Sequence, residues 1–103
     1  MLDLTHLSKA VLIVDTAIEK QILSLIGEAG ATGYTAMPCG GRGYRTVFEE
    51  PFMSHSQIRV EVITSRKIAE QIIQLIERKE FALHPSTAFI ETVEVMDASK
   101  FVK

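Results

Sequence analysis

The run Ile58-Arg59-Val60-Glu61-Val62-Ile63-Thr64-Ser65 decides the fold. Ile58, Val60 and Val62 alternate with Arg59 and Glu61, the period-two pattern of a strand with one buried face. Thr64 or Ser65 then caps a helix whose apolar stripe is Ile68, Ile72, Leu75 and Ile76. The same stripe stands earlier in the chain as Ile18, Ile22, Leu25 and Ile26, continued by Ala29. That first helix follows a strand read over Lys9 to Val14. Asp15 and Thr16 are its N-cap candidates, Thr16 and Glu19 have capping-box spacing, and Gly30 is its C′ stop.

A second strand is expected from about Gly33 to Cys39 and a last one from about Ala88 to Met96. The chain thus reads as two β-α-β units in series. The fold class is α+β, the ferredoxin-like βαββαβ order, with an antiparallel sheet carrying both helices on one face. The first strand is apolar at both parities, with Ala10, Leu12 and Val14 on one side and Val11 and Ile13 on the other. A sheet covered on one face alternates, so something must cover the second face. No segment is left over for that task, and a homo-oligomer packing sheet against sheet is the expected cover.

A chain of 103 residues, 47% of them apolar, has the size of one domain with a real core. The net charge of −2 argues against general binding to nucleic acid or to an anionic membrane. Cys39 is the one cysteine and has no internal disulfide partner, which points to the cytoplasm. No stretch approaches the roughly 20 apolar residues of a membrane helix. Residues 1–8 carry no Lys or Arg before Lys9, unlike a signal peptide, and read as a frayed end that holds His6.

All six glycines lie between Gly27 and Gly43, three of them in Gly40-Gly41-Arg42-Gly43-Tyr44-Arg45. Glycine lets the backbone come close to a ligand, and successive N–H groups in such a turn form an anion-sized concavity. Arg42 and Arg45 add planar, bidentate donors suited to phosphate oxygens. The segment that follows, Tyr44 to Ser56, is longer than an ordinary hairpin loop and too polar to form its own core.

Other constellations carry less. His6, His55, His84 and Cys39 have no zinc-ligand spacing, so no metal site is expected. Cys39 has no base near it in sequence, and Glu49-Glu50 reads as a solvated loop tip rather than an acid–base couple. No catalytic residues are assigned. Acylphosphatases share this fold but use an asparagine, which the chain lacks altogether. RNA-recognition motifs share it too, but the first strand here has no aromatic residue for base stacking.

Three segments together resemble the PII signalling superfamily: Gly33-Tyr34-Thr35-Ala36, Gly40-Gly41-Arg42-Gly43-Tyr44-Arg45, and Ile58 to Thr64 leading into a helix. The likeness is greatest to PII-like proteins linked to bicarbonate transport and carboxysomes, and it spans about residues 9 to 96. The resemblance implies a non-enzymatic homotrimer with adenine-nucleotide sites in the clefts between subunits and no required cofactor. It places Thr35 near the adenine ring, and Gly40, Gly41, Arg42, Gly43 and Arg45 around the phosphates. It makes residues 44–56 a T-loop that docks onto a target protein, such as a membrane transporter, through Tyr44, Phe48, Glu49, Glu50, Phe52 and His55. Carbon or nitrogen metabolism is the implied setting.

The nitrogen-regulating members carry a Gly-rich loop with a phosphate-binding Lys before the last strand. Here that region reads Phe81-Ala82-Leu83-His84-Pro85-Ser86-Thr87. Fewer cations favour fewer phosphates, so AMP, ADP or cyclic AMP is expected ahead of ATP. The alternative is a trimeric ferredoxin-like interaction or metal-binding module without nucleotide.

Overall fold

Strand β1, Thr5–Asp15, is the axis of the sheet because it pairs antiparallel on both sides. The computed structural model describes residues 2–41 and 57–102. After β1 a 3₁₀ turn, Thr16–Ile18, leads into helix α1, Glu19–Glu28, and then β2, Thr35–Cys39. Next come β3, Gln57–Thr64, helix α2, Arg66–Ile73, two 3₁₀ turns, β4, Thr87–Val95, and a C-terminal 3₁₀ turn, Ala98–Lys100. The spatial order is β2-β3-β1-β4, all antiparallel, which is the ferredoxin-like arrangement.

The register aligns the apolar parities. Leu12 faces Val60 on β3 and Ala88 on β4, and Ala10 faces Val62 and Ile90. These residues share the helix-side face, where Ile18, Ile22 and Ile26 from the first helical segment meet Ala69 and Ile72 from α2. Each large side chain buried there contributes roughly 1.5–3 kcal/mol, so this layer is the main source of stability. Phe81 also enters this core, at 2% exposure, although the sequence places it in a loop without periodicity.

The helix ends follow local rules. Gly30 takes φ 105°, with its N–H bonded to Gly27 O and that of Ala31 to Ile26 O, a Schellman stop. Ser65 caps α2 by accepting from Ile68 N at 3.3 Å. At the first helix Asp15 is the cap: its Oδ1 accepts from Ala17 N at 3.0 Å. Thr16 therefore lies inside the 3₁₀ turn, and the Thr16–Glu19 capping box does not form. The other Asp15 oxygen lies 3.3 Å from His84 Nδ1, which ties the loop before β4 to the end of β1.

Two expectations are corrected. β1 begins at Thr5 rather than Lys9, so His6 is not in a frayed end: it pairs with Glu94 in the ladder, Nε2 3.7 Å from Oε1. Backbone pairing to β4 orders a stretch whose own side chains are mostly polar. The open face of the sheet is also partly covered by this chain. Val11 on that face is fully buried, although among the described residues no helix packs there. The Arg59 guanidinium lies 5.7 Å from the centre of the Phe89 ring, and β1 separates their strands, so the arginine spans β1. Arg59 also donates to Glu61 at 2.9 Å, and Lys9 pairs with Glu91 at 3.2 Å. Leu7, Ile13, Ile63, Phe89 and Val93 remain half-buried on the same face.

Asp15→Ala removes a cap and the His84 contact together, and is expected to lower stability by about 1–2 kcal/mol in urea unfolding. Thr64 gives the opposite expectation. It is fully buried opposite Ser8, and its Oγ1 has no hydrogen-bond partner among the described residues. Thr64→Val removes that desolvated hydroxyl at nearly constant shape and should raise the urea midpoint, by a gain of about 1 kcal/mol. A fall would show that the hydroxyl is satisfied in solution.

Candidate functional site

Edge strand β2 organises the site. Pro38 lies within it, as an edge strand allows, and its outer backbone groups have no strand partner among the described residues. Thr35 starts β2 and pairs with Glu61 on β3, and Cys39 ends it opposite Gln57. Gly40 and Gly41 follow at once, both exposed. A Cβ added at Gly41 would meet nothing within 4 Å among the described residues, so packing against them does not demand glycine there. Gly40 follows Thr35 by five residue steps along the strand, about 17 Å at strand rise. The two proposed ends of the site therefore lie at opposite ends of one extended strand.

At the Thr35 end is a cleft of about 190 Å³, lined by Thr32, Gly33, Tyr34, Thr35, Glu61, Ile63, Lys100 and Phe101. Tyr34 and Phe101 supply aromatic surface and Ile63 an aliphatic floor. Thr35 and Glu61 supply polar atoms. Glu61 Oε2 accepts from Arg59 Nε, which fixes the carboxylate. The carboxylate suits donors such as sugar hydroxyls or an exocyclic amine.

Part of the lining comes from the C-terminal turn, where Thr32 Oγ1 donates to the Lys100 carbonyl at 2.9 Å. The turn is braced internally by Ser99, whose hydroxyl donates to Asp97 Oδ1 at 2.5 Å. That bond holds the Asp97 carboxyl below its usual range, with Ser99 N–H and the nearby Lys100 charge adding to it.

Larger, shallower depressions lie along the outer side of α1, one of about 530 Å³ against Thr16, Ala17, Glu19, Lys20 and Gln21. They adjoin none of the residues singled out from the sequence as ligand-binding.

Of the residues expected to bind nucleotide, the structure describes Thr35, Gly40 and Gly41. Arg42, Gly43 and Arg45 lie outside the described residues, as do Tyr44, Phe48, Glu49, Glu50, Phe52 and His55 of the long loop. Sequence reasoning missed Glu61 as a cleft residue, seeing only the polar parity of a strand. It also missed Lys100 and Phe101, which no local pattern connects to Thr35. Among the described residues there is no group of three or more His, Cys, Asp or Glu side chains able to hold a metal, and no helix long and apolar enough to cross a membrane.

The family model for nitrogen regulatory protein P-II matches residues 7–100. The chain belongs to the P-II family. It is a PII-like signalling protein, in a family of non-enzymatic regulators for which trimers and a T-loop are characteristic.

Solved P-II relatives agree in fold. A PII-like signalling protein of Thermus thermophilus is 29% identical, with TM-score 0.79 over 98% of this chain and all of that one. CPII of Thiomonas intermedia K12, bound to ADP and bicarbonate, is 22% identical, with TM-score 0.82 over 98% of this chain and 99% of its own. The GlnK–ATP complex of B. subtilis is more distant, 14% identical with TM-score 0.57 over 88% and 83%. The βαββαβ P-II fold is thus shared along the length of this chain.

The Asp97 shift has a sign that can be tested. A carboxyl whose pKa is lowered by folding adds to the turn's stability at neutral pH and loses that contribution as pH falls through its folded pKa. Asp97 should titrate below an ordinary aspartate in carbon-detected NMR, and Ser99→Ala should move it upward. An unchanged titration in that variant would show that Ser99 does not hold the carboxylate.

Proposed function

We propose that this P-II protein is a cytoplasmic sensor of an adenine nucleotide and that the nucleotide lies along β2. The base occupies the cleft at Thr35, against Tyr34, Ile63 and Phe101. Glu61 accepts from hydroxyl or amine hydrogens. The phosphates reach Gly40 and Gly41, where Arg42, Gly43 and Arg45 close around them. The carrying observation is the separation between Thr35 and the glycine turn. A single small anion cannot touch both ends of a five-residue strand, whereas an extended nucleotide has an aromatic base at one end and phosphates at the other. CPII of T. intermedia has been solved with ADP, AMP and bicarbonate, which favours ADP or AMP, and makes bicarbonate a candidate co-effector.

Assembly completes this reading. The open sheet face carries buried Val11 and half-buried Leu7, Ile13, Ile63, Phe89 and Val93. A homotrimer that packs these faces together removes them from water and sets β2 beside a neighbouring subunit, so that the cleft falls between chains. Residues 44–56 then serve as the T-loop. Its affinity for a target protein, such as a transporter, changes if the nucleotide binds one loop state better than another.

A thermal-shift panel of AMP, ADP, ATP and cyclic AMP, with and without bicarbonate, tests the ligand. A nucleotide at a hundred times its Kd should add about 2.7 kcal/mol of stability. Arg45→Ala should weaken that binding roughly ten- to a hundredfold in calorimetry, as expected for a lost charge-assisted contact, without unfolding the protein. No shift with any adenylate would favour the nucleotide-free interaction module instead.

A further inference from the structure

The C-terminal turn is too short to hold itself in place. A three-residue 3₁₀ segment makes too few bonds of its own to stay ordered unless it is tied to the rest of the fold. Within residues 97–102 the bonds are local: Lys100 N to Asp97 O, Phe101 N and Val102 N to Ala98 O, and Ser99 Oγ to Asp97 Oδ1. The hydrogen bond that leaves this segment, among the described residues, is Thr32 Oγ1 to Lys100 O, across a sequence separation of 68. Both of its partners line the Thr35 cleft, and the next residue, Phe101, supplies an aromatic wall.

We infer that Thr32 is a positioning residue of the ligand cleft: its hydroxyl latches the Lys100 carbonyl and so fixes Phe101 and the C-terminal turn as one wall of the site. This rests on the nucleotide reading above. Thr32 need not touch the ligand. It acts through the placement of Phe101, and a wall held before binding spares the ligand the cost of ordering it. Occupancy then steadies the C-terminus in return, because a ligand that binds the latched form better must shift the chain toward it. The acceptor is a backbone carbonyl, so the Lys100 side chain is dispensable for the latch.

The test uses the full chain and two readouts. Without ligand, Thr32→Val should speed hydrogen exchange at the Phe101 and Val102 amides, while Thr32→Ser keeps them as slow as in the unaltered protein. With ADP, Thr32→Val should weaken binding about fivefold, the value of one neutral hydrogen bond, and Thr32→Ser should restore it. Added ADP should slow exchange at those amides in the unaltered protein. If the unaltered protein binds ADP and Thr32→Val changes neither exchange nor affinity, the latch is overturned and the nucleotide reading stands. If the unaltered protein binds no adenylate, the nucleotide reading is overturned, and the positioning role goes with it.

Discussion

The double pairing of β1 is the constraint on which everything else rests. A strand with a partner on each side cannot slip by one residue without turning Leu12 and its apolar neighbours out of the core on both sides. The register is therefore fixed by burial of Ala10, Leu12 and Val14 against the helices. Once it is fixed, Glu61 must stand opposite Val11 on one side of β3 and opposite Thr35 on the other. The position of a cleft carboxylate is thus a consequence of core packing one strand away.

The same constraint shapes the open face. Val11 and Ile13 are apolar because β1 is central to both faces, and a single layer of helices can serve only one. The chain responds with long side chains laid across the surface. Arg59 spans β1 to Phe89 while bonded to Glu61, and Lys9 pairs with Glu91. Such cover leaves much of the face half-exposed, which is what a surface used for assembly requires. Arg59 therefore joins two levels: it shields the centre of the sheet and fixes the carboxylate that lines the cleft.

How much could be read in advance depended on the range of the interaction. The alternation over Ile58 to Val62 and the two matched helical stripes are local patterns, and they specified the topology. Gly30 was legible as a helix stop because a Schellman motif is built from neighbouring residues. The start of β1 was not, since Thr5, His6 and Ser8 are polar and owe their strand conformation to β4, far along the chain. Phe81 was missed because a single aromatic after the charged run Arg78-Lys79-Glu80 has no period. At the site, Gly40 and Gly41 stood out through residue type, and Thr35 through the family resemblance of the Gly33-Tyr34-Thr35 segment. Glu61 looked like ordinary strand polarity until β2 was seen beside it, and Thr32 with Lys100 gave no signal because their bond is purely tertiary.

The nucleotide's placement along β2 is tested most directly by a crystal structure of the protein with ADP. The account predicts the adenine base between Tyr34 and Phe101 with Glu61 facing a hydroxyl or amine, and the phosphates against the main chain at Gly40 and Gly41. A base bound away from Thr35, or phosphates that leave the glycine turn empty, would contradict it.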